Sequence, residues 1–141
     1  MVEPRPKRVL LVDDNSAVRS LVRKLFELEP DFQISGEAEN GREGVEKAES
    51  LKPDVVILDL SMPIMTGLDA AHLIRKNLPH TKIILFTVHE GSEIERLARE
   101  AGIHAVVSKN KAASRLILQT QAVLESTKHE GDDPGQLRNV S

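Results

Sequence analysis

The sequence predicts an α/β protein built on a doubly wound parallel sheet, and three features predict it. Short apolar runs alternate strictly with segments whose apolar residues recur at helical spacing. Three of the runs, VLLV, VVIL and IILF, are apolar without a break, the pattern of strands covered on both faces. All but one of the runs deliver polar residues able to do chemistry, at what becomes the carboxyl edge of the sheet.

The first run, residues 8–12, leads into Asp13 and Asp14. Val18, Leu21, Val22, Leu25 and Phe26 then follow the i, i+3, i+4, i+7, i+8 rule of an amphipathic helix, which Pro30 closes. Residues 32–38 make the second strand, and its end (Glu37, Ala38, Glu39) reads as ordinary solvated loop. Val45, Ala48 and Leu51 form a shorter helical stripe that stops before Pro53. The third run, residues 55–59, carries Asp59 at its end. Leu68, Ala71, Ile74 and Leu78 mark the third helix, which ends at Pro79, and residues 82–87 make a fourth strand closing on Thr87. Ile94, Leu97, Ala98 and Ala101 follow, with Gly102 placed to take the left-handed turn after a helix. Residues 105–108 are the fifth strand, with Lys109 behind it, and Leu116, Ile117, Thr120, Val123 and Leu124 stripe the fifth helix. Such alternation with short loops requires βαβ units with right-handed crossovers. After Leu124 the pattern dissolves into ESTKHEGDDPGQLRNVS, which includes Pro134 and Gly135. The domain is therefore placed at residues 5–124, with 125–141 as a flexible tail or the start of a linker.

Composition removes several classes of function. A chain of 141 residues suits one domain with a real core. It has no cysteine, which excludes disulfides and thiolate metal sites and fits a reducing cytosol, so a cytoplasmic location is expected. The apolar runs are far too short to cross a bilayer, and MVEPRPKR has no signal-peptide core behind it, so no membrane partner is expected. A formal charge of -3, with no Trp or Tyr and three Phe, argues against direct nucleic-acid binding by this chain. The five histidines form no ligand cluster, the glycines form no phosphate-binding loop, and no Ser-His-Asp arrangement can be assigned.

The strand ends remain. Taken singly, Asp13-Asp14 reads as a turn, Asp59 as a loop carboxylate, Thr87 as a strand former and Lys109 as a surface charge. Four bland explanations at four strand ends of one sheet are harder to sustain together. Asp13, Asp14 and Asp59 offer a hard, all-oxygen site suited to Mg²⁺, with Mn²⁺ as an alternative, and ill suited to zinc. Lys109 would add a second cation and Thr87 a hydroxyl donor, the equipment that phosphoryl transfer needs.

The motifs LLVDDN at 10–15, VVILDLSMPIMTG at 55–67, IILFT at 83–87 and VVSK at 106–109 resemble the receiver domain of bacterial two-component response regulators, of the CheY-like superfamily. The resemblance covers about residues 5–124. It implies a (βα)5 flavodoxin-like fold with sheet order 2-1-3-4-5. It implies that Asp59 accepts the phosphoryl group, that Asp14, Asp59 and the backbone carbonyl of Ser61 bind Mg²⁺, and that Asp13 acts through water. Thr87 and Lys109 would contact the phosphoryl group, while Met62, Pro63 and Gly67 would shape the loop after Asp59. The donor would be a sensor histidine kinase or a histidine phosphotransfer protein, met through the first helix and the loops beside Asp59. The recipient would be a downstream protein or a fused output domain, reached through the fourth and fifth helices and the last strand, with homodimerisation on phosphorylation compatible with the family. Such a protein is a phosphoacceptor that assists its own phosphorylation and dephosphorylation, not a turnover enzyme.

Several positions depart from the family pattern. Val106 stands where receivers carry a switch Tyr or Phe, and Ser108 shares its face. Asn110 replaces the usual Pro after the Lys, so a trans bond is expected there. Val88 replaces a smaller residue, and Ser61 and His89 occupy the two variable positions that tune acyl-phosphate lifetime. The missing switch aromatic motivates an alternative, a receiver-shaped interaction module independent of phosphorylation. A further alternative is the N-terminal fragment of a helix-turn-helix transcriptional regulator. An Asp-nucleophile phosphatase would want an acid where Ser61 stands.

Overall fold

The computed structural model describes residues 5–132. Its strands are β1 (Lys7–Val12), β2 (Phe32–Ala38), β3 (Val55–Leu58), β4 (Lys82–Thr87) and β5 (Ala105–Ser108). Its helices are α1 (Ser16–Glu27), α2 (Gly41–Leu51), α3 (Gly67–Asn77), α4 (Ser92–Glu100) and α5 (Ser114–Asp132), each following the strand of its number. All neighbouring strands are parallel and the order is 2-1-3-4-5, as expected for a doubly wound sheet of the flavodoxin-like kind.

The unbroken apolar runs have the predicted cause. Within β1, Leu10 and Val12 point to one face and Val9 and Leu11 to the other, and all four are buried. The first face packs against Val45 and Ala48 of α2, Ala70, Ala71 and Ile74 of α3, and Ala98 of α4. The second packs against Val22 and Phe26 of α1 and Leu116, Ile117 and Val123 of α5. Phe26 meets Phe32 edge to face, with ring centroids 5.1 Å apart. Among the described residues, no buried side-chain nitrogen or oxygen lacks a hydrogen-bond partner. No helix of the described residues is long and apolar enough to cross a membrane.

Asn15 caps α1, its side chain accepting from the N–H groups of Ala17 and Val18. One local outcome differs from expectation. Helix α5 runs through Asp132, past Leu124 where its apolar stripe stops. A polar segment can continue a helix already nucleated, and no proline interrupts the chain between Leu124 and Asp132. Residues 125–132 of the expected tail are thus helical, and 133–141 lie outside the described residues.

Sheet order reverses between β1 and β3, whose strands lie side by side with helices leaving to opposite faces. A crevice opens at the carboxyl ends of these two strands. Both end in aspartates.

Candidate functional site

Asp13 and Asp59 occupy equivalent places one residue beyond β1 and β3. Each is fixed by its backbone, the Asp13 N–H donating to the Ala38 carbonyl at 3.1 Å and the Asp59 N–H to the Val12 carbonyl at 3.0 Å. Asp13, Asp14 and Asp59 each present a carboxylate oxygen, and the three oxygens lie within 4.8 Å of one another. Asp13 and Asp59 are buried and Asp14 is exposed. Asp13 Oδ1 accepts from the Asn15 N–H and Asp59 Oδ1 from the Leu60 N–H, and the second bond favours the ionised form of Asp59.

Lys109 leaves the end of β5 and reaches over this crevice. Its Nζ lies 2.7 Å from Asp13 Oδ2 and 3.2 Å from Asp59 Oδ2, and 5.7 Å from the centre of the Phe86 ring. Its backbone N–H donates to the Thr87 carbonyl at 2.8 Å, which carries the β4–β5 pairing up to the site.

Charge and burial set the titration of the pair. Burial pushes the Asp59 carboxyl up, the Asp13 carboxylate adds to that, and Lys109 recovers only part, so Asp59 sits above its ordinary value. Burial pushes Lys109 down, but its bond to Asp13 and the charges of both aspartates outweigh this and hold it above its ordinary value. One ammonium against three carboxylates leaves negative charge in excess. The donors are hard oxygens only, the set that suits Mg²⁺ or Mn²⁺, so the chemistry of the residues present fits a divalent cation.

The loop after Asp59 returns closely on itself. The Gly67 N–H donates to the Leu60 carbonyl at 2.8 Å, and a Cβ at Gly67 would run into the carbonyl oxygen of Asp59. Only glycine lets α3 start there. Ile64, at the tip of the loop, is exposed with φ of 72°, a conformation that β-branched residues resist.

The remaining predicted residues group around the same edge. Thr87 ends β4 with 0% exposure, and its Oγ1 accepts from the His89 N–H at 3.2 Å. Ser61 Oγ and His89 Nε2 lie 3.2 Å apart, which joins the two positions expected to act on lifetime. Val106 pairs with Leu85 across the β4–β5 ladder and is half-buried against the α2–α4 side of the core. It lines, with Ser108, His89 and Arg115, an open cavity of about 200 Å³ between α4 and α5. Asn110 follows Lys109, and no peptide bond among the described residues is cis. Its amide donates to the Val88 carbonyl at 3.1 Å and to Glu90 Oε2 at 2.8 Å, clasping the loop after β4.

One part of the site was misread in the sequence. Glu37 is not a solvated loop residue: it lies within β2, where Arg19 Nε donates to its Oε1 at 2.9 Å and Arg23 Nε to its Oε2 at 2.6 Å. Burial pushes Glu37 up, but the bonds from Arg23 and Arg19 prevail and hold it below its ordinary value. The available signal was the i, i+4 spacing of two arginines on the helix that follows the acidic pair.

Comparison with known proteins agrees with the geometry. The family model described as "Response regulator receiver domain" matches residues 9–121. The nitrate/nitrite response regulator protein NarL of Escherichia coli is 40% identical over 103 residues, which cover 72% of this chain and 48% of NarL. The chain thus spans about half the length of that relative. The chemotaxis protein CheY of Thermotoga maritima is 38% identical over 111 residues, covering 79% of this chain and 92% of that protein. The crystal structure of a LuxR-family two-component response regulator from an Aurantimonas species superposes with a TM-score of 0.82 at 32% identity, covering 86% of each chain.

Proposed function

Because the chain belongs to the response regulator receiver domain family, we propose that it takes a phosphoryl group onto Asp59 and changes its output surface in response. The observation that carries this reading is the convergence of Asp13, Asp14, Asp59 and Lys109 in one crevice at the sheet's switch point.

Asp59 is the nucleophile. Its Oδ2, the oxygen not held by the Leu60 N–H, attacks phosphorus in line with the bond that breaks. With a phosphohistidine donor the P–N bond breaks, the electron pair leaves with the imidazole, and an acyl phosphate O–P bond forms on Asp59. Lys109 offsets the added charge, which is about -1.5 to -2 for a phosphoryl group near pH 7. Thr87 accepts from the His89 N–H, so its own hydroxyl proton remains for a phosphoryl oxygen. Asp14, Asp59 and the Ser61 carbonyl would hold Mg²⁺ (or Mn²⁺), with Asp13 joined through water. Bound there, the cation supplies positive charge against the phosphoryl oxygens. Ser61 and His89, paired at the rim, would tune how fast water removes the group.

The donor would be a sensor histidine kinase or phosphotransfer protein. The recipient would be a downstream protein or an output domain fused in a longer chain, and the half-length match to NarL favours the fused domain. The chain would act as a phosphoacceptor and not as a turnover enzyme. A second reading, an interaction module indifferent to phosphorylation, draws support from Val106 and the cavity beside it, where no aromatic is present to move.

Intact mass after incubation with acetyl phosphate tests the proposal. One added phosphoryl group that needs both Mg²⁺ and Asp59 is expected. No adduct on wild type with Mg²⁺, or an equal adduct on Asp59→Asn, overturns it. For the second reading, an output partner that binds Asp59→Asn and phosphorylated protein equally well decides in its favour.

A further inference from the structure

Arg19 is unusual for an arginine, with a side chain only 11% exposed. A guanidinium removed from water is costly unless its donors are met, and here they are met by two different elements. Nε donates to Glu37 of β2 at 2.9 Å, Nη2 lies 3.7 Å from Glu39, and Nη1 donates to the backbone carbonyl of Asp13 at 2.5 Å. Arg23 shares Glu37 but has no bond to Asp13, and its side chain is 36% exposed.

The carbonyl contact is the informative one. The Asp13 C=O and the Asp14 N–H belong to one planar peptide unit. A rigid fork that fixes the carbonyl therefore fixes the plane from which the Asp14 Cα departs. Asp13 itself has other restraints: its N–H bonds Ala38, and its carboxylate bonds Lys109 and Asn15. Asp14 is the exposed member of the acidic trio and stands at the start of the loop to α1.

We propose that Arg19, braced by Glu37 and Glu39, is a positioning residue that sets the Asp13–Asp14 peptide and so presents Asp14 to a divalent cation. This rests on the cation site of the function proposed above. Arg19 touches neither the cation nor the phosphoryl group. Its effect falls on cation affinity.

The test is calorimetric titration of Mg²⁺, with no phosphodonor, into wild type, Arg19→Met, Arg19→Lys and Arg23→Met, beside the thermal midpoint of each in EDTA. Arg19→Met is expected to weaken Mg²⁺ about tenfold or more, the scale seen when a group that orients a metal ligand is removed. Arg19→Lys should not restore it, because an ammonium on a flexible stem lacks the planar fork that holds the Asp13 carbonyl at a set angle to Glu37. Arg23→Met removes a partner of the same Glu37 and should stay within about twofold of wild type, whatever it does to stability. Should Arg19→Met fail to fold, Arg19→Lys against Arg23→Met makes the same comparison. Unchanged Mg²⁺ affinity in the folded Arg19 variants, or equal weakening in the Arg19 and Arg23 variants, overturns the inference alone. A wild type that binds no Mg²⁺ overturns the inference together with the proposed function.

Discussion

Removing the charge of Asp59 should make this protein more stable when no divalent cation is present. The Asp59 carboxylate has oxygens of Asp13 and Asp14 within 4.8 Å. At an effective dielectric of about 20, each repulsion amounts to at least about 3.5 kcal/mol. Lys109, 3.2 Å away, returns about 5 kcal/mol on the same scale. Repulsion therefore leads by about 2 kcal/mol, and burial of the charge adds to it. Asp14 is exposed, so its share is screened, which brings the expected gain for Asp59→Asn to about 1–2 kcal/mol. The asparagine keeps an oxygen for the Leu60 N–H, and Lys109 keeps Asp13 at 2.7 Å, so neither loses its last partner. The chain has no Trp, so urea unfolding should be followed by far-ultraviolet circular dichroism. In EDTA the midpoint should rise by roughly 0.5–1 M with an unchanged slope, given slopes of about 1–3 kcal/mol per M. Adding Mg²⁺ should stabilise wild type more than the variant. A variant equal to or less stable than wild type in EDTA would refute the reasoning, since it would mean that Lys109 already balances the cluster.

Three further outcomes follow from other parts of the molecule. Because Glu37 is held below its ordinary value of 4.5, its contribution to stability should be present above that pH and be lost as pH falls through the folded value. Glu37→Gln should therefore be less stable than wild type at pH 7, with the gap closing below about pH 4 in parallel acid titrations; a gap that does not change with pH contradicts the ion-pair account. Ile64→Asn should stabilise by about 1 kcal/mol, because an exposed β-branched residue leaves the left-handed region to one that tolerates it, and a lower thermal midpoint would show that Ile64 is packed. On a phosphorylated chain, His89→Ala should lengthen the acyl-phosphate lifetime severalfold, since it removes the imidazole bonded to Ser61 at the rim. An unchanged dephosphorylation rate would remove His89 from the chemistry.

The fold was legible because each strand's pattern stated its surroundings. Val9 and Leu11 face α1 and α5 while Leu10 and Val12 face α2, α3 and α4, and only a strand between two helical layers needs apolar residues at all four positions. The acidic trio was legible for a related reason, since parallel order forces Asp13 and Asp59 to the same edge once both follow strands. What the sequence hid was pairing between elements. Glu37 looked solvated because a charge at a strand end usually faces water, and the i, i+4 spacing of Arg19 and Arg23 marks a pair of arginines without naming their partner. The Ser61–His89 bond joins residues 28 apart, and the clasp of Asn110 on Val88 and Glu90 joins neighbouring loops at their tips. The end of α5 was misplaced because an apolar stripe reports where a helix packs, while a helix already nucleated can continue beyond it.

The central claim is that Asp59, and neither neighbouring carboxylate, carries the phosphoryl group. Borohydride reduces an aspartyl phosphate to homoserine and leaves an ordinary aspartate unchanged, so the modified residue can be located by peptide mass. After acetyl phosphate with Mg²⁺, the account predicts homoserine at position 59 alone, and none when the cation is withheld. Homoserine at position 13 or 14, or at no position in protein shown to bind Mg²⁺, would contradict it.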